Sequence, residues 1–323
     1  MLLSDLYPLS FRIRRVYLQF RFPIGDSGEE AANRVVPQAN STGSGRRIAS
    51  RRKNGKGRKI AFGWYGGKYS HLDFILPNIP LDVQHFCDVF GGSAAVLINR
   101  PPSPVETYND IDSELVNFFK TLRDDGPELI RAIGLTPFSR EELARACEYV
   151  PGLSDCERAR RFFVRARQTR TGLAQRSSEG RWAHCVLTSR AGMAGAVSRW
   201  LGSIDSLAEI TLRLQRVQVE NAPALDVIQR YDTPDTVFYL DPPYVHSSRG
   251  DTAAYEFEMS DEEHVELAKV LLNIRGRAVL SGYRTPLYDD IYKDWRRIDA
   301  PVRNANSVRK PRQESLWVNF RNE

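Results

Sequence analysis

Metal-binding and disulfide chemistry are nearly absent from this sequence. It holds four cysteines (Cys87, Cys147, Cys156 and Cys185) and five histidines in 323 residues. No C-x-x-C spacing occurs, and no histidine pair stands with the cysteines at zinc-ligand spacing. That argues against both a zinc site and a disulfide scaffold, and the cysteines read as reduced, partly buried thiols. No apolar run approaches the ~20 residues that a membrane span requires. The N-terminus has neither the apolar core nor the small-residue cleavage site of a secretion signal, so the chain is expected to be soluble and cytoplasmic. Internal repeats are missing, as is any nuclease active-site pattern.

Acid is missing where base is densest. Residues 46–59 hold eight Lys or Arg and no Asp or Glu. Such a block repels itself and resists packing. Residues 1–58 are therefore expected to form a basic, disordered N-terminal extension. The functional alternative is an arm that makes salt-sensitive phosphate contacts. Residues 11–22 within it read as a strand or as nothing regular. The net charge of +6 fits a polyanion partner but carries little weight alone.

From residue 60 the pattern is that of a folded chain. Its 41% hydrophobic content suffices for one large domain, or a domain with an insertion. Residues 85–89 form a short apolar run that ends at Phe90, Gly91 and Gly92, and residues 93–99 suit a helix. Residues 105–108 make a second strand, followed by Asn109, Asp110 and a helix through about residue 122. Strand, glycine turn, helix, strand and acid open a doubly wound, Rossmann-like α/β domain. Residues 123–215 then change character. Helical spacing appears in 141–149 and 157–167, and arginine and glycine crowd 158–199. The α/β pattern resumes with a buried strand at 236–240 and an amphipathic helix at 260–273. Ser260 is that helix's N-cap, with Asp261, Glu262 and Glu263 in its first turn. Strands at 277–280 and 316–320 follow. The predicted organisation is one α/β domain from 59–122 and 216–323, interrupted by a mostly helical insertion at 123–215.

The run Asp241, Pro242, Pro243, Tyr244 directly follows the strand 236–240. In open α/β sheets, ligands sit beyond the carboxyl ends of strands. Two prolines there fix the backbone and remove two N–H donors. A carboxylate beside an exposed carbonyl makes a pair of acceptors, which suits a planar NH2 group with its two donors. Tyr244 offers a flat face on which a base can stack. Gly91 and Gly92 allow backbone to approach a ligand closely. Asp110 follows the glycine turn by roughly 20 residues, about the spacing at which an acid meets ribose hydroxyls in nucleotide-binding α/β units.

From about residue 61 to 320 the chain resembles the Dam-type N6-adenine DNA methyltransferases, in particular their phage-like members. Residues 62–68 (FGWYGGK) are similar to the family's first motif. Residues 88–93 (DVFGGS) look like its glycine-rich motif, Asn109 and Asp110 like its ribose motif, and residues 241–244 like its catalytic motif, all in the family's order. The resemblance implies transfer of a methyl group from S-adenosylmethionine to N6 of an adenine flipped out of duplex DNA, with no metal. It implies a catalytic set of Asp241, Pro242, Pro243 and Tyr244. It implies donor contacts from Trp64, Lys68, Asp88, Phe90, Gly91, Gly92, Ser93, Asp110, Ile111 and Asp241. The insertion corresponds to the family's target-recognition domain, which implies DNA contacts from Arg165, Arg167, Arg170 and Thr171, around Gln168 and Thr169. The family often has glycine where Ala94 stands, and that methyl group is expected to tighten the donor pocket. Tyr283 follows a strand near the catalytic segment, His246 lies just past it, and residues 314–320 match a structural closing strand. The chain is expected to act on DNA as a monomer, with a dimer as the alternative.

Three other readings stand beside this one. N4-cytosine in DNA and adenine in RNA are also exocyclic amines, open to the same chemistry. A catalytically silent DNA-binding regulator would use the insertion alone, against which Asp241, Lys68 and Asp110 argue. C5-cytosine methylation is disfavoured because none of the four cysteines follows a proline. Solitary methylase and restriction-modification partner both fit the residues.

Overall fold

The computed structural model describes residues 57–64, 66–170, 179–245, 257–301 and 313–321. The expectations for residues 1–56, Thr171 and His246 lie outside the described residues. Nine strands are described: β1 (His85–Asp88), β2 (Val105–Asn109), β3 (Ser189–Arg190), β4 (Met193–Ala194), β5 (Gln218–Glu220), β6 (Thr236–Leu240), β7 (Arg277–Tyr283), β8 (Arg296–Asp299) and β9 (Glu314–Val318). Seven form one sheet in the order β5-β2-β1-β6-β7-β9-β8, while β3 and β4 pair as a small separate hairpin. The pairs β5-β2, β2-β1, β1-β6 and β6-β7 are parallel. The pairs β7-β9 and β9-β8 are antiparallel. The chain leaves β1 on one side toward β2 and returns on its other side as β6. That reversal opens a crevice at the carboxyl ends of β1 and β6.

Eleven α-helices are described: α1 (Leu72–Ile75), α2 (Ala95–Asn99), α3 (Ser113–Asp124), α4 (Gly126–Gly134), α5 (Arg140–Cys147), α6 (Asp155–Gln168), α7 (Gly195–Asp205), α8 (Leu207–Leu214), α9 (Ala224–Tyr231), α10 (Asp261–Leu271) and α11 (Pro286–Ile291). Strand side chains alternate between the two faces of the sheet. Phe86, Val237, Tyr239, Val279, Leu316 and Val318 enter one core, with α2, α3 and the helical segment. Cys87, Phe238, Leu240, Ala278, Leu280 and Trp317 enter the other, with α9, α10 and Tyr288 of α11. Every residue of β1 and β6 is buried, as a central parallel strand covered on both faces requires.

The segment between β2 and β5 shares the first core rather than building one of its own. Phe118 of α3 stacks on Phe163 of α6 at 5.7 Å and meets Phe62 edge-on at 5.2 Å. Trp200 of α7 packs 5.5 Å from Phe163. At the far end of the segment, Arg213 of α8 makes a fork of 2.6 and 2.7 Å to the fully buried Glu106 of β2. Arg158 of α6 reaches Glu114 of α3 at 2.5 Å.

Two boundaries differ from expectation for a common reason. β7 continues to Tyr283 and β9 begins at Glu314, because the two pair antiparallel from Val279↔Val318 to Tyr283↔Glu314. The Asn319 side chain accepts the Ala278 N–H at 2.8 Å and takes over where the ladder stops, so Phe320 lies outside it. The edge strands β5 and β8 had no counterpart in the sequence pattern, since both are short and mostly polar, β5 half-buried and β8 largely exposed. The predicted cap of α10 is present as a capping box. Ser260 Oγ accepts the Glu263 N–H, and the Glu263 carboxylate accepts the Ser260 N–H at 2.7 Å.

Phe118→Ala should lower unfolding free energy by about 3–5 kcal/mol, the usual loss for a buried aromatic ring. Urea denaturation followed by fluorescence and circular dichroism should still give one coincident transition. A separate transition for the helical segment would contradict the shared core.

Candidate active site

Because β2, β1 and β6 are adjacent and parallel, their carboxyl ends emerge side by side. They deliver Asp110, Asp88 and Asp241 to the wall of one cavity of about 660 Å³. The same wall includes Trp64, Gly67, Lys68, Phe90, Gly91, Gly92, Ser93 and Ile111. All ten residues expected at a donor site therefore meet around one space. Pro223, Ala224, Leu225, Met259 and Leu267 also line it, as do the carboxylates Glu258, Glu263 and Glu266, and no sequence motif marked these as donor contacts.

The glycine turn is shaped by what presses against it. A Cβ on Gly91 would lie 2.1 Å from the Tyr108 ring, and one on Gly92 would lie 3.1 Å from the Trp64 indole. Gly92 also has φ +48, and the Tyr108 hydroxyl donates to its carbonyl at 2.8 Å. Ala94 follows in the left-handed region at φ 53, where glycine is the easier residue. Its methyl group is fully buried in the core and is not on the cavity wall. The expectation that Ala94 narrows the pocket is thus corrected: the cost falls on the backbone.

Asp110 is held by its own neighbourhood. It accepts the Gly92 N–H at 2.9 Å and the Asp112 N–H at 2.9 Å. Burial nevertheless pushes its carboxyl up to about 6. Asp88 is 1% exposed, and burial, with the charges of Asp241 and Asp110, drives it well above the usual carboxylate range. Its Oδ1 has no hydrogen-bond partner among the described residues. An ammonium group placed there would satisfy that oxygen and reverse the shift.

Asp241 lies at the end of β6 with its side chain 17% exposed. Its Oδ1 accepts from Lys68 Nζ at 2.7 Å and from Ser281 Oγ at 2.8 Å. Burial raises this carboxyl, against the downward pull of the Lys68 ammonium. Lys68 opens a short 3-10 turn (Lys68–His71) and also donates to the Gly66 carbonyl at 2.7 Å. Pro243 lines the cavity, whereas Pro242 and Tyr244 do not. Tyr244 is buried, its hydroxyl donates to Glu314, and Lys68 Nζ stands 4.7 Å above its ring. One face of the expected stacking platform is therefore covered by the lysine. Tyr283 meets the Tyr244 ring edge-on at 4.7 Å. Glu314, expected only as part of a structural closing strand, thus contacts both Tyr244 and, at 3.7 Å, Lys68. Its only signal was a lone acid opening an apolar strand.

The arginines of the helical segment divide into two groups. Arg165 turns inward to the Ala146 carbonyl at 2.7 Å and lies 4.0 Å from Glu114. Gln168, expected among base-reading candidates, is fully buried between the Pro137 carbonyl and the Ser139 N–H. Thr169 is buried as well, with its hydroxyl on the Arg165 carbonyl. Arg167, Arg170 and Arg199 instead line a second recess of about 230 Å³ with His184, and none pairs with a described carboxylate. Burial and the charge of Arg199 pull Arg167 down to about 10.

Asp110 gives a pH signature. Its folded value of about 6 lies above the ordinary 3.8, so in that window the folded state holds a proton that the unfolded state has released. Its contribution to stability is present below about pH 3.8 and is lost as pH rises through about 6. Asp110→Asn should remove that slope, seen as a wild-type-minus-variant difference in Tm that shrinks to a plateau above pH 6.5. A difference that grows across the window would reverse the assignment.

Comparison with known proteins agrees with this geometry. A family profile described as D12 class N6 adenine-specific DNA methyltransferase matches residues 64–305. The type II methyltransferase M1.LlaDCHI of Lactococcus lactis subsp. cremoris is 27% identical over 280 residues, covering 80% of this chain and 94% of the relative. With a central parallel sheet, motifs in order and a family match over well more than half its length, the chain belongs to the D12 class of N6 adenine-specific DNA methyltransferases.

Proposed function

We propose that the large cavity receives S-adenosylmethionine and that Asp241 receives the N6 amine of an adenine flipped out of duplex DNA. The observation that carries this reading is the convergence of Asp88, Asp110 and Asp241 with Trp64 and Lys68 on one wall. The donor's chemical groups fit what the wall offers. The orphaned Asp88 oxygen suits its ammonium, and the spare lone pairs of Asp110 suit its ribose hydroxyls. Trp64, Phe90, Ile111 and Leu225 suit its adenine ring. When bound, the donor supplies a methyl group already activated on a sulfonium.

The protein's own part is placement and charge. The adenine N6 lone pair is delocalised into the ring, so the amine is a poor nucleophile. Two acceptors gripping its N–H bonds favour a tetrahedral nitrogen, and the Asp241 carboxylate offsets the charge that develops there. Asp241 needs no great basicity for this. It must stay anionic, which Lys68 and Ser281 favour against burial. A target inside a duplex must leave the stack to reach such a recess.

Residues 123–215 are the proposed target-recognition insertion, within the halves 59–122 and 216–323 of the catalytic part. Arg167, Arg170 and Arg199 are its proposed phosphate contacts, since their charges meet no described acid. The relative's printed name supports a place for this chain in a restriction-modification pair.

Asp241→Ala should abolish methyl transfer while leaving duplex binding largely intact, assayed by tritium transfer and by fluorescence anisotropy. Near-wild-type turnover would refute the assigned role. Arg170→Ala and Arg199→Ala should each reduce the log–log salt slope of duplex binding by about one unit, the signature of one lost phosphate contact. An unchanged slope in both would remove the recess from the DNA path.

A further inference from the structure

We propose that Glu314 is a positioning residue for methyl transfer, its carboxylate being the second seat of the Lys68 ammonium once the adenine amine takes Asp241. The inference rests on the assignment of Asp241 made above.

Lys68 Nζ is 2.7 Å from Asp241 Oδ1 and 3.7 Å from Glu314 Oε1. The first contact is a charge-assisted hydrogen bond, and the second is an ion pair too long to be one. The Lys68 and Glu314 side chains are each 5% exposed. A buried ammonium deprived of its only carboxylate is strongly unfavourable. Two carboxylates within reach change that, because moving from one to the other exchanges an ion pair instead of breaking it. The exchange matters to the reaction. With Lys68 and Ser281 both on Oδ1, much of the Asp241 charge is already answered. Drawing Lys68 toward Glu314 returns that charge to Asp241 as the amine becomes cationic.

The surroundings hold Glu314 ready for this. The β7-β9 register sets Glu314 opposite Tyr283, whose ring packs on Tyr244. The Tyr244 hydroxyl donates to Glu314 Oε1, and burial with the charges of Asp241 and Glu314 keeps that phenol protonated. Glu314 thereby links the closing strand, the catalytic tyrosine and the first-motif lysine.

Glu314→Gln keeps the shape and an acceptor for Tyr244 but removes the charge. In steady-state assays with saturating S-adenosylmethionine and a methylatable duplex, its kcat should fall roughly 10²-fold, the scale of a small misplacement at a reacting centre. KM for the duplex should stay near wild type. In a Lys68→Met background the same substitution should have no further effect, because no ammonium remains to be moved. An equal loss in both backgrounds, a change in KM alone, or an unchanged kcat would each overturn the proposal. Should the glutamine variant not fold, Glu314→Asp retains the charge one methylene farther back. It should show a smaller kcat loss with the same dependence on Lys68, and a loss independent of Lys68 overturns the proposal. The two assignments fail separately. Turnover by Asp241→Ala refutes the role of Asp241. An inactive Asp241→Ala beside a fully active Glu314→Gln refutes only that of Glu314.

Discussion

The ion pair between Lys68 and Asp241 is the contact on which the rest of the site depends. Parallel strands bring Asp88, Asp110 and Asp241 to the rim of one cavity, and burial raises all three carboxyls. Charges of one sign gathered in a low-dielectric space repel one another and favour protonation. Lys68 opposes this for Asp241, the residue proposed to receive the amine. The turn that carries Lys68 is itself tied down, with the Gly67 N–H on the Trp64 carbonyl at 3.0 Å. One short segment therefore supplies both part of the cavity wall and the cation that opposes protonation of Asp241.

The same pair explains the arrangement of Tyr244. A tyrosine at the end of a catalytic motif invites the picture of an open stacking surface. Here its ring lies under Lys68 and its hydroxyl is engaged by Glu314. Lysine, tyrosine and two carboxylates form one coupled unit. The helical segment is joined to the sheet through the Phe62, Phe118, Phe162 and Phe163 cluster and the buried Glu106. Arginines on that segment thus sit on the same packed core as the strand that leads to Asp241.

Much of this was legible from the residues. Central strands read clearly because β1 and β6 are buried on both faces and must be continuously apolar. The Ser260 cap read clearly because its chemistry is local. Edge strands β5 and β8 did not, since a half-exposed edge imposes no apolar pattern. Asp88, Asp110 and Asp241 could be placed together because each sits at or just past a strand end, a position that sequence marks directly, whereas Trp64 and Lys68 were suggested by the family resemblance. The arginines were not separable in sequence. Arg165, Arg167 and Arg170 look alike along the chain, yet Arg165 is bonded inward to Ala146 while Arg167 and Arg170 line a recess.

By itself, the sequence determined the α/β class, the order of its motifs and the place of Asp241 at the end of a strand, because alternation, turns and strand-end acids are local properties of the chain. Tertiary structure alone decided that Glu314 lies beside Lys68 and Tyr244. Glu314 reaches Lys68 and Tyr244 only because β9 runs antiparallel beside β7, which sets it opposite Tyr283. No local pattern encodes a pairing between strands so far apart in the chain.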